Sequence, residues 1–249
     1  MSTSDLDVVL ARLETVVADT VRTRSRAGYF AAMYRRVTIA VRDAVIAGRF
    51  DDNDRMARLD RVFAERYLDA YDEWQRGGRT TAAWEAAFVA SGHWRPIIIQ
   101  HLLVGINAHI NLDLGIAAAT VAPGSAISGL RADFGRVNDI LSELVDGVMD
   151  RIGEVSPWVR MLDRIGGRTD QTIVRFSIGI ARDQAWDLAE ELATTPTQAW
   201  DGVISRCDSA TTGLTGTILR PGPVLTSGLF VIRLRESNDV PHVIDLLGS

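Results

Sequence analysis

The stretch from His93 to Gly115 decides the fold, and it reads HWRPIIIQHLLVGINAHINLDLG. Isoleucine and leucine fill so many positions that it predicts a helix that is apolar nearly all round and central to the protein. One face carries residues spaced four apart, which stack along a helix: His101, Gly105, His109 and Asp113. A second stripe lies beside it: Gln100, Val104, Asn107 and Asn111. Because an unpaired buried polar group costs about 1–3 kcal/mol, both stripes need partners inside the protein.

Helical periodicity continues on both sides of this stretch. Only the segment from Phe230 to Arg235 alternates like a strand, and a strand needs a partner strand. The sequence therefore predicts a single all-α domain over residues 1–249, a multi-helix bundle around a central apolar helix at about 96–121. The other predicted helices span about 5–22, 29–47, 54–76, 84–91, 127–152, 157–166, 169–193, 195–209, 224–236 and 240–247.

Composition excludes several classes of protein. A net charge of −5 argues against a nucleic-acid partner that is held by bulk positive charge. The longest apolar run, 97–122, contains histidine, asparagine and aspartate, so we expect no membrane span. The N-terminus lacks the pattern of a signal peptide, and we expect a cytoplasmic protein. All 27 basic residues are arginine, which excludes a Schiff-base lysine and a Walker-type phosphate loop.

The histidine stripe predicts acid–base chemistry. His109 and Asp113 are one turn apart, so the carboxylate can orient the imidazole and fix its tautomer. We expect His101 and His109 to donate or accept protons, with Asp113 as the third catalytic residue. Asn107 and Asn111 are candidate ligands for substrate oxygens.

Two further residues are assigned to ligand binding. Gly105 removes a side chain between the histidines, which leaves room for a small ligand or for a closely approaching helix. Arg182 lies in an apolar helix, where it could pair with Asp113 or bind an anionic ligand.

A metal site is not expected. His109 and Asp113 supply only two ligands, whereas most metal sites need three or four. One acidic face could supply more ligands, although such a face is usually only solvated: Asp139, Glu143, Asp146 and Asp150. We expect no cofactor.

The motif HLLVGINAHINLDLG resembles the signature of a family of mostly actinobacterial helical proteins of unknown function. The resemblance extends to FAERYLDAYDEWQRG before the motif, ADFGRVNDIL after it and IARDQAWDLAEELA near residue 180. It implies an all-helical single domain and directs attention to the polar residues of the motif. It implies no activity.

Three functional hypotheses remain open at this point. The favoured one is an enzyme with an apolar pocket that performs non-redox acid–base chemistry, such as hydrolysis, isomerisation or cyclisation, on a small hydrophobic molecule. The second is a protein that binds a small ligand without chemistry. The third is a structural or partner-binding helical protein whose polar stripes only fix helix packing. The sequence leaves the oligomeric state open.

Overall fold

Helices make up most of the protein. The computed structural model describes residues 4–156 and 178–249, and within residues 142–153 it describes only the backbone. No strand occurs in this part of the chain, which confirms the all-α class. The helices are α1 (Ser4–Thr23), α2 (Ala27–Ile46), α3 (Asn53–Gln75), α4 (Ala82–Ser91), α5 (Ile98–Ala108), α6 (Gly115–Val121), α7 (Ile127–Val155), α8 (Ile178–Thr194), α9 (Trp200–Leu219), α10 (Pro223–Arg233) and α11 (Val240–Gly248).

The central helix is one continuous rod in which a π-helical turn, His109–Leu114, joins α5 to α6. Helices α2, α3, α4, α8 and α9 pack around it. By length and composition this rod, Ile98–Val121, could cross a membrane, but 83% of its most apolar window is buried inside the protein. A core helix shows this same burial. The π turn contains the second histidine of the polar stripe, and such turns occur frequently at functional sites.

Small residues allow α6 and α8 to pack with their backbones close together. A Cβ atom on Gly115 would lie 2.7 Å from the backbone oxygen of Ala185, closer than real Cβ contacts come. Ala118 and Ala189 are fully buried at the same level of the core. This close packing fixes the C-terminal end of the central rod.

Carboxylates from distant parts of the chain cap three helices. Asp133 accepts hydrogen bonds from two amides just before α3, at 2.8 and 3.0 Å. Asp208 accepts from the first two amides of α4, at 2.8 Å each. Glu236 accepts from the first amide of α5, at 3.0 Å. Each carboxylate satisfies amides that a helix leaves unpaired and lies at the positive end of the helix dipole.

Some boundaries differ from the sequence-based prediction. The helix predicted over 195–209 begins at Trp200 and continues to Leu219. Its second half is rich in threonine and glycine, which are weak helix formers, and hydrogen bonds from α5 hold it in place. The helix predicted over 224–236 is confirmed as α10, which includes most of the segment that alternates like a strand. The short helix predicted over 157–166 and the beginning of the next one, 169–177, lie outside the described residues.

Candidate functional site

His109 and Asp113 lie side by side in the π turn, and both are buried. His109 Nδ1 is 3.1 Å from Asp113 Oδ2. Two side chains from other helices also donate hydrogen bonds to the Asp113 carboxylate. Arg66 Nε of α3 donates to Oδ1 at 2.7 Å, and Trp84 Nε1 of α4 donates to Oδ2 at 2.8 Å. Asp113 is thus held by three partners on three segments of the chain.

The charges of this pair follow from its surroundings. Burial alone would raise the pKa of Asp113, but the hydrogen bond from His109 and the charge of Arg66 outweigh it and lower the pKa. Burial lowers the pKa of His109, and its hydrogen bond to Asp113 offsets only part of that change. Asp113 is therefore ionised and His109 neutral at pH 7. Because a carboxylate only accepts hydrogen bonds, Nδ1 carries the imidazole proton and Nε2 is the free acceptor.

Aromatic side chains from three helices enclose the His109 ring. Phe63 stacks on it with 3.6 Å between ring centroids, and Tyr34 meets it edge-on at 4.4 Å. Phe30, Tyr67 and Trp84 surround it at centroid distances of 5.7, 6.1 and 5.9 Å. We call these five rings the aromatic box. Among the described residues, no group hydrogen-bonds to His109 Nε2 inside this box.

Three more buried polar atoms near the box make no hydrogen bond of normal geometry within the described part of the chain: Tyr34 Oη, Tyr67 Oη and Asp60 Oδ2. Of these, Tyr34 Oη lies near enough to the Thr38 side chain for that contact to lower its pKa. Asp60 lies one turn before Phe63 on α3, and burial raises its pKa to about 7. Burial also raises the pKa of Tyr34, and the charge of Asp60 adds to that effect, which places the two groups within electrostatic range. The box thus combines one histidine, two phenols and one carboxyl group in an apolar enclosure.

His101 is separated from this cluster. It lies in a narrow cleft between α2, α4 and α5, and it meets Tyr29 edge-on at 5.8 Å. Burial lowers the pKa of His101 to about 3, and the charges of Arg26 and Arg233 add to the effect. The two histidines of the stripe therefore belong to two neighbouring sites.

Phe30 fills the space that Gly105 leaves. A Cβ atom on Gly105 would lie 2.6 Å from Phe30 Cγ. A neighbouring helix therefore approaches this glycine closely, and Gly105 also lines the cleft beside His101. The same phenylalanine stands between the His101 cleft and the His109 box, because it lines the first and contacts the ring of the second.

We expect Gly105→Ala to lower the free energy of unfolding by about 1–3 kcal/mol, because the new methyl group overpacks the Phe30 ring. Gly213→Ala is the matched control, since a Cβ atom there meets nothing within 4 Å. That control should gain up to about 1 kcal/mol from helix propensity. Urea unfolding followed by circular dichroism measures both, and equal gains in the two variants would contradict the close packing.

The asparagine stripe faces the opposite side of the rod. Asn107 Nδ2 donates to Thr211 O and to Thr215 Oγ1, both at 2.8 Å. Asn111 Nδ2 donates to Asn107 Oδ1 at 2.7 Å, and Gln100 Nε2 donates to the backbone of α9 at 2.7 Å. The structure therefore places Asn107 against α9, where it joins two helices. The Asn111 side chain bonds only to Asn107 of the same rod, and its buried Oδ1 has no partner among the described residues.

Arg182 is also remote from the His109 pair. Its guanidinium donates to the backbone oxygen of Phe134 and lies 4.3 Å from the centre of that ring. Arg66 takes the place beside Asp113 that Arg182 was considered for.

Over residues 4–156 and 178–249, no group of three or more histidine, cysteine, aspartate or glutamate side chains is arranged to hold a metal. Three of the acidic candidates, Glu143, Asp146 and Asp150, have side chains outside the described residues.

Helical spacing brings Phe30, Tyr34 and Tyr67 forward as aromatics that could wall a pocket, but sequence reasoning missed the role of Asp60 and Arg66 and that of Phe63 and Trp84. Asp60, Phe63 and Tyr67 follow one another at helical spacing on α3, so a carboxyl group lies in line with two core aromatics. That mixture of polar and aromatic residues on one buried face was the available signal. The partnership of Arg66 and Trp84 with Asp113 joins three helices, and no local pattern reveals it.

The chain belongs to the family of unknown function DUF5995, which it matches over residues 6–221. No curated protein and no solved structure matches it.

Proposed function

We propose that this member of a family of unknown function is a general acid–base enzyme that acts on a small apolar molecule inside the aromatic box. His109 Nε2 would accept a proton from the substrate and return it. Asp113 would hold the imidazole in the required tautomer. The observation that supports this proposal is the state of His109, whose Nδ1 is fixed by a carboxylate while its buried Nε2 has no partner in the described structure.

The free-energy cost of leaving a buried polar atom without a partner supports the same function. A buried polar atom without a partner costs about 1–3 kcal/mol, and native proteins keep few of them. A ligand with a hydrogen-bond donor would satisfy Nε2. The hydroxyls of Tyr34 and Tyr67 could then hold substrate oxygens, a part that we first expected the asparagines to play. A neutral histidine with an oriented N–H on its far nitrogen is the usual arrangement of a general base.

The apolar walls define the class of reaction. They exclude water and strengthen every electrostatic contact inside the box. Proton removal from a carbon or hydroxyl, followed by its return elsewhere, gives isomerisation or cyclisation, and activation of a single water gives hydrolysis. All of these reactions are non-redox and use only the groups in the box.

A ligand-binding role without chemistry is the second candidate, and the tight enclosure favours it. The cleft next to the box has an internal volume of about 20 Å³, room for about one water molecule. A substrate must displace aromatic side chains to reach His109, whereas a small bound ligand could remain enclosed.

The variant His109→Asn tests the catalytic proposal, because its amide can still donate to Asp113 while no atom replaces Nε2. We expect the wild-type protein to turn over at least one member of a panel of aryl esters, lactones and enolisable aryl ketones. Nuclear magnetic resonance would follow hydrolysis and α-deuterium exchange. The variant should lose about 10²–10⁴-fold in rate.

The control for this experiment is His242→Asn, which changes an exposed histidine on α11. It should leave turnover unchanged. Full turnover by His109→Asn would contradict catalysis by Nε2. Tight binding of a panel member without turnover, weakened by His109→Asn, would favour the second candidate.

A further inference from the structure

The cleft beside the aromatic box has the composition of a second, distinct subsite. It lies between the start of α2, the end of α4 and the first half of α5. Its polar lining consists of Arg26, Ser91 and His101, and its apolar lining includes Phe30, Tyr67, Trp84 and Phe88. Three of these rings, Phe30, Tyr67 and Trp84, also form walls of the box.

We propose that this cleft binds the carboxylate of a small aromatic or apolar acid, with Arg26 and His101 as the recognising side chains. The inference rests on the proposed function, because it names the substrate class of the His109 site. Because the cleft has room for about one water molecule, an acid anchored here would have to displace lining rings to bring its apolar body towards His109.

Arg26 supplies the charge. None of the ion pairs among the described residues involves Arg26, and its charge adds to the effect of burial that lowers the pKa of His101. The other cation near His101, Arg233, lies 3.8 Å from the carboxylate of Glu236 and is neutralised by it. Arg26 is therefore the cation that remains for a ligand.

His101 supplies a hydrogen bond. It is buried, with only 5% of its surface exposed, and it lines the cleft. Neither ring nitrogen makes a hydrogen bond of normal geometry with the described residues, although a longer contact with the backbone of Pro96 partly offsets the lowered pKa. Its lowered pKa keeps it neutral at pH 7, so one ring nitrogen carries a proton. A carboxylate oxygen that accepts this proton replaces the long contact with the Pro96 backbone.

The size of the cleft favours a carboxylate over larger anions. The internal space of about 20 Å³ continues outward into solvent. A planar carboxylate is the smallest common organic anion that accepts from an arginine fork and a second donor together. Phosphate, with four oxygens in a tetrahedron, needs more space and more donors than Arg26 and His101 provide.

Benzoate and benzamide are the probes that test this proposal, because they share one ring and differ in charge. Titration calorimetry at fixed ionic strength should show benzoate binding at least tenfold more tightly than benzamide. Arg26→Gln and His101→Gln should each raise the dissociation constant of benzoate about tenfold and leave that of benzamide unchanged. Arg49→Gln, at the far end of α2 and exposed, should change neither.

Three results would overturn the proposal: equal binding of benzoate and benzamide, inorganic phosphate binding as tightly as benzoate, or Arg26→Gln behaving like Arg49→Gln.

His109→Asn separates this proposal from the proposed function. Unchanged benzoate binding in that variant, together with unchanged turnover, would remove the catalytic role of His109 and leave the carboxylate subsite standing.

Discussion

Asp113→Ala should lower the free energy of unfolding by about 2–4 kcal/mol, since it removes the common partner of two buried donors and the half-buried Arg66. The substitution leaves the Arg66 charge, the Trp84 indole N–H and His109 Nδ1 without their acceptor. The two buried donors account for most of this cost, because the half-buried guanidinium of Arg66 still reaches solvent. Urea unfolding at pH 7, followed by far-ultraviolet circular dichroism, measures the change.

Asp187→Ala provides the baseline for that experiment. Asp187 is exposed on α8, so its removal should change stability by less than about 0.5 kcal/mol. Arg66→Leu combined with Asp113→Leu should recover only the part of the loss that comes from the Arg66 charge, because Trp84 Nε1 and His109 Nδ1 still lack an acceptor. A loss below about 1 kcal/mol in Asp113→Ala would show that the carboxylate is not the centre of this network.

The change in the free energy of unfolding caused by Asp60→Asn should be more favourable at pH 8 than at pH 4, by about 4 kcal/mol. The pKa of Asp60 is raised by burial from 3.8 to about 7. Between these values the folded protein keeps a proton that the unfolded chain releases. Wild-type stability therefore falls as pH rises from about 4 to about 7, by about 1.4 kcal/mol per unit, and asparagine abolishes that fall.

Unfolding curves at pH 4, 6 and 8 for wild type and variant test this dependence. The comparison across pH removes the constant cost of burying the new amide, because that cost is the same at every pH. Asp187→Asn, an exposed change of the same kind, should give parallel curves. A pH-independent difference between Asp60→Asn and wild type would show that Asp60 is ionised in the folded protein.

The contacts of the site that could be predicted from the sequence are those between residues of one helix. The spacing of His109 and Asp113 predicts their contact, because fourth neighbours on a helix meet. The apolar surroundings of the motif likewise predict its central position. The π turn was not predictable, because it depends on how the packed helices around the rod hold its backbone. The partners Arg66 and Trp84 arrive through tertiary packing from α3 and α4.

The two polar stripes show why residue type alone could not assign roles. Histidine and asparagine lie next to each other along the motif, yet Asn107 meets threonines of α9 while His109 meets aromatic rings. The sequence of α9 offers no strong periodic signal in its threonine-rich half, so its docking face could not be paired with the asparagines. Only the packing of α9 separates a structural stripe from a candidate site.

The three capping carboxylates impose an order on events during synthesis of the chain. Asp133 lies 82 residues after the amide it meets before α3, Asp208 lies 126 residues after the start of α4, and Glu236 lies 138 residues after the start of α5. At about 5–20 residues per second, a ribosome that starts at the first residue needs about 10 s or more to reach the last of these carboxylates. The rings and charges around His109 have all been made by residue 114, whereas the rod that bears them is not capped until residue 236. For about half the time of its synthesis, the nascent chain therefore contains every group of the candidate site while its most apolar helix still lacks the capping carboxylate.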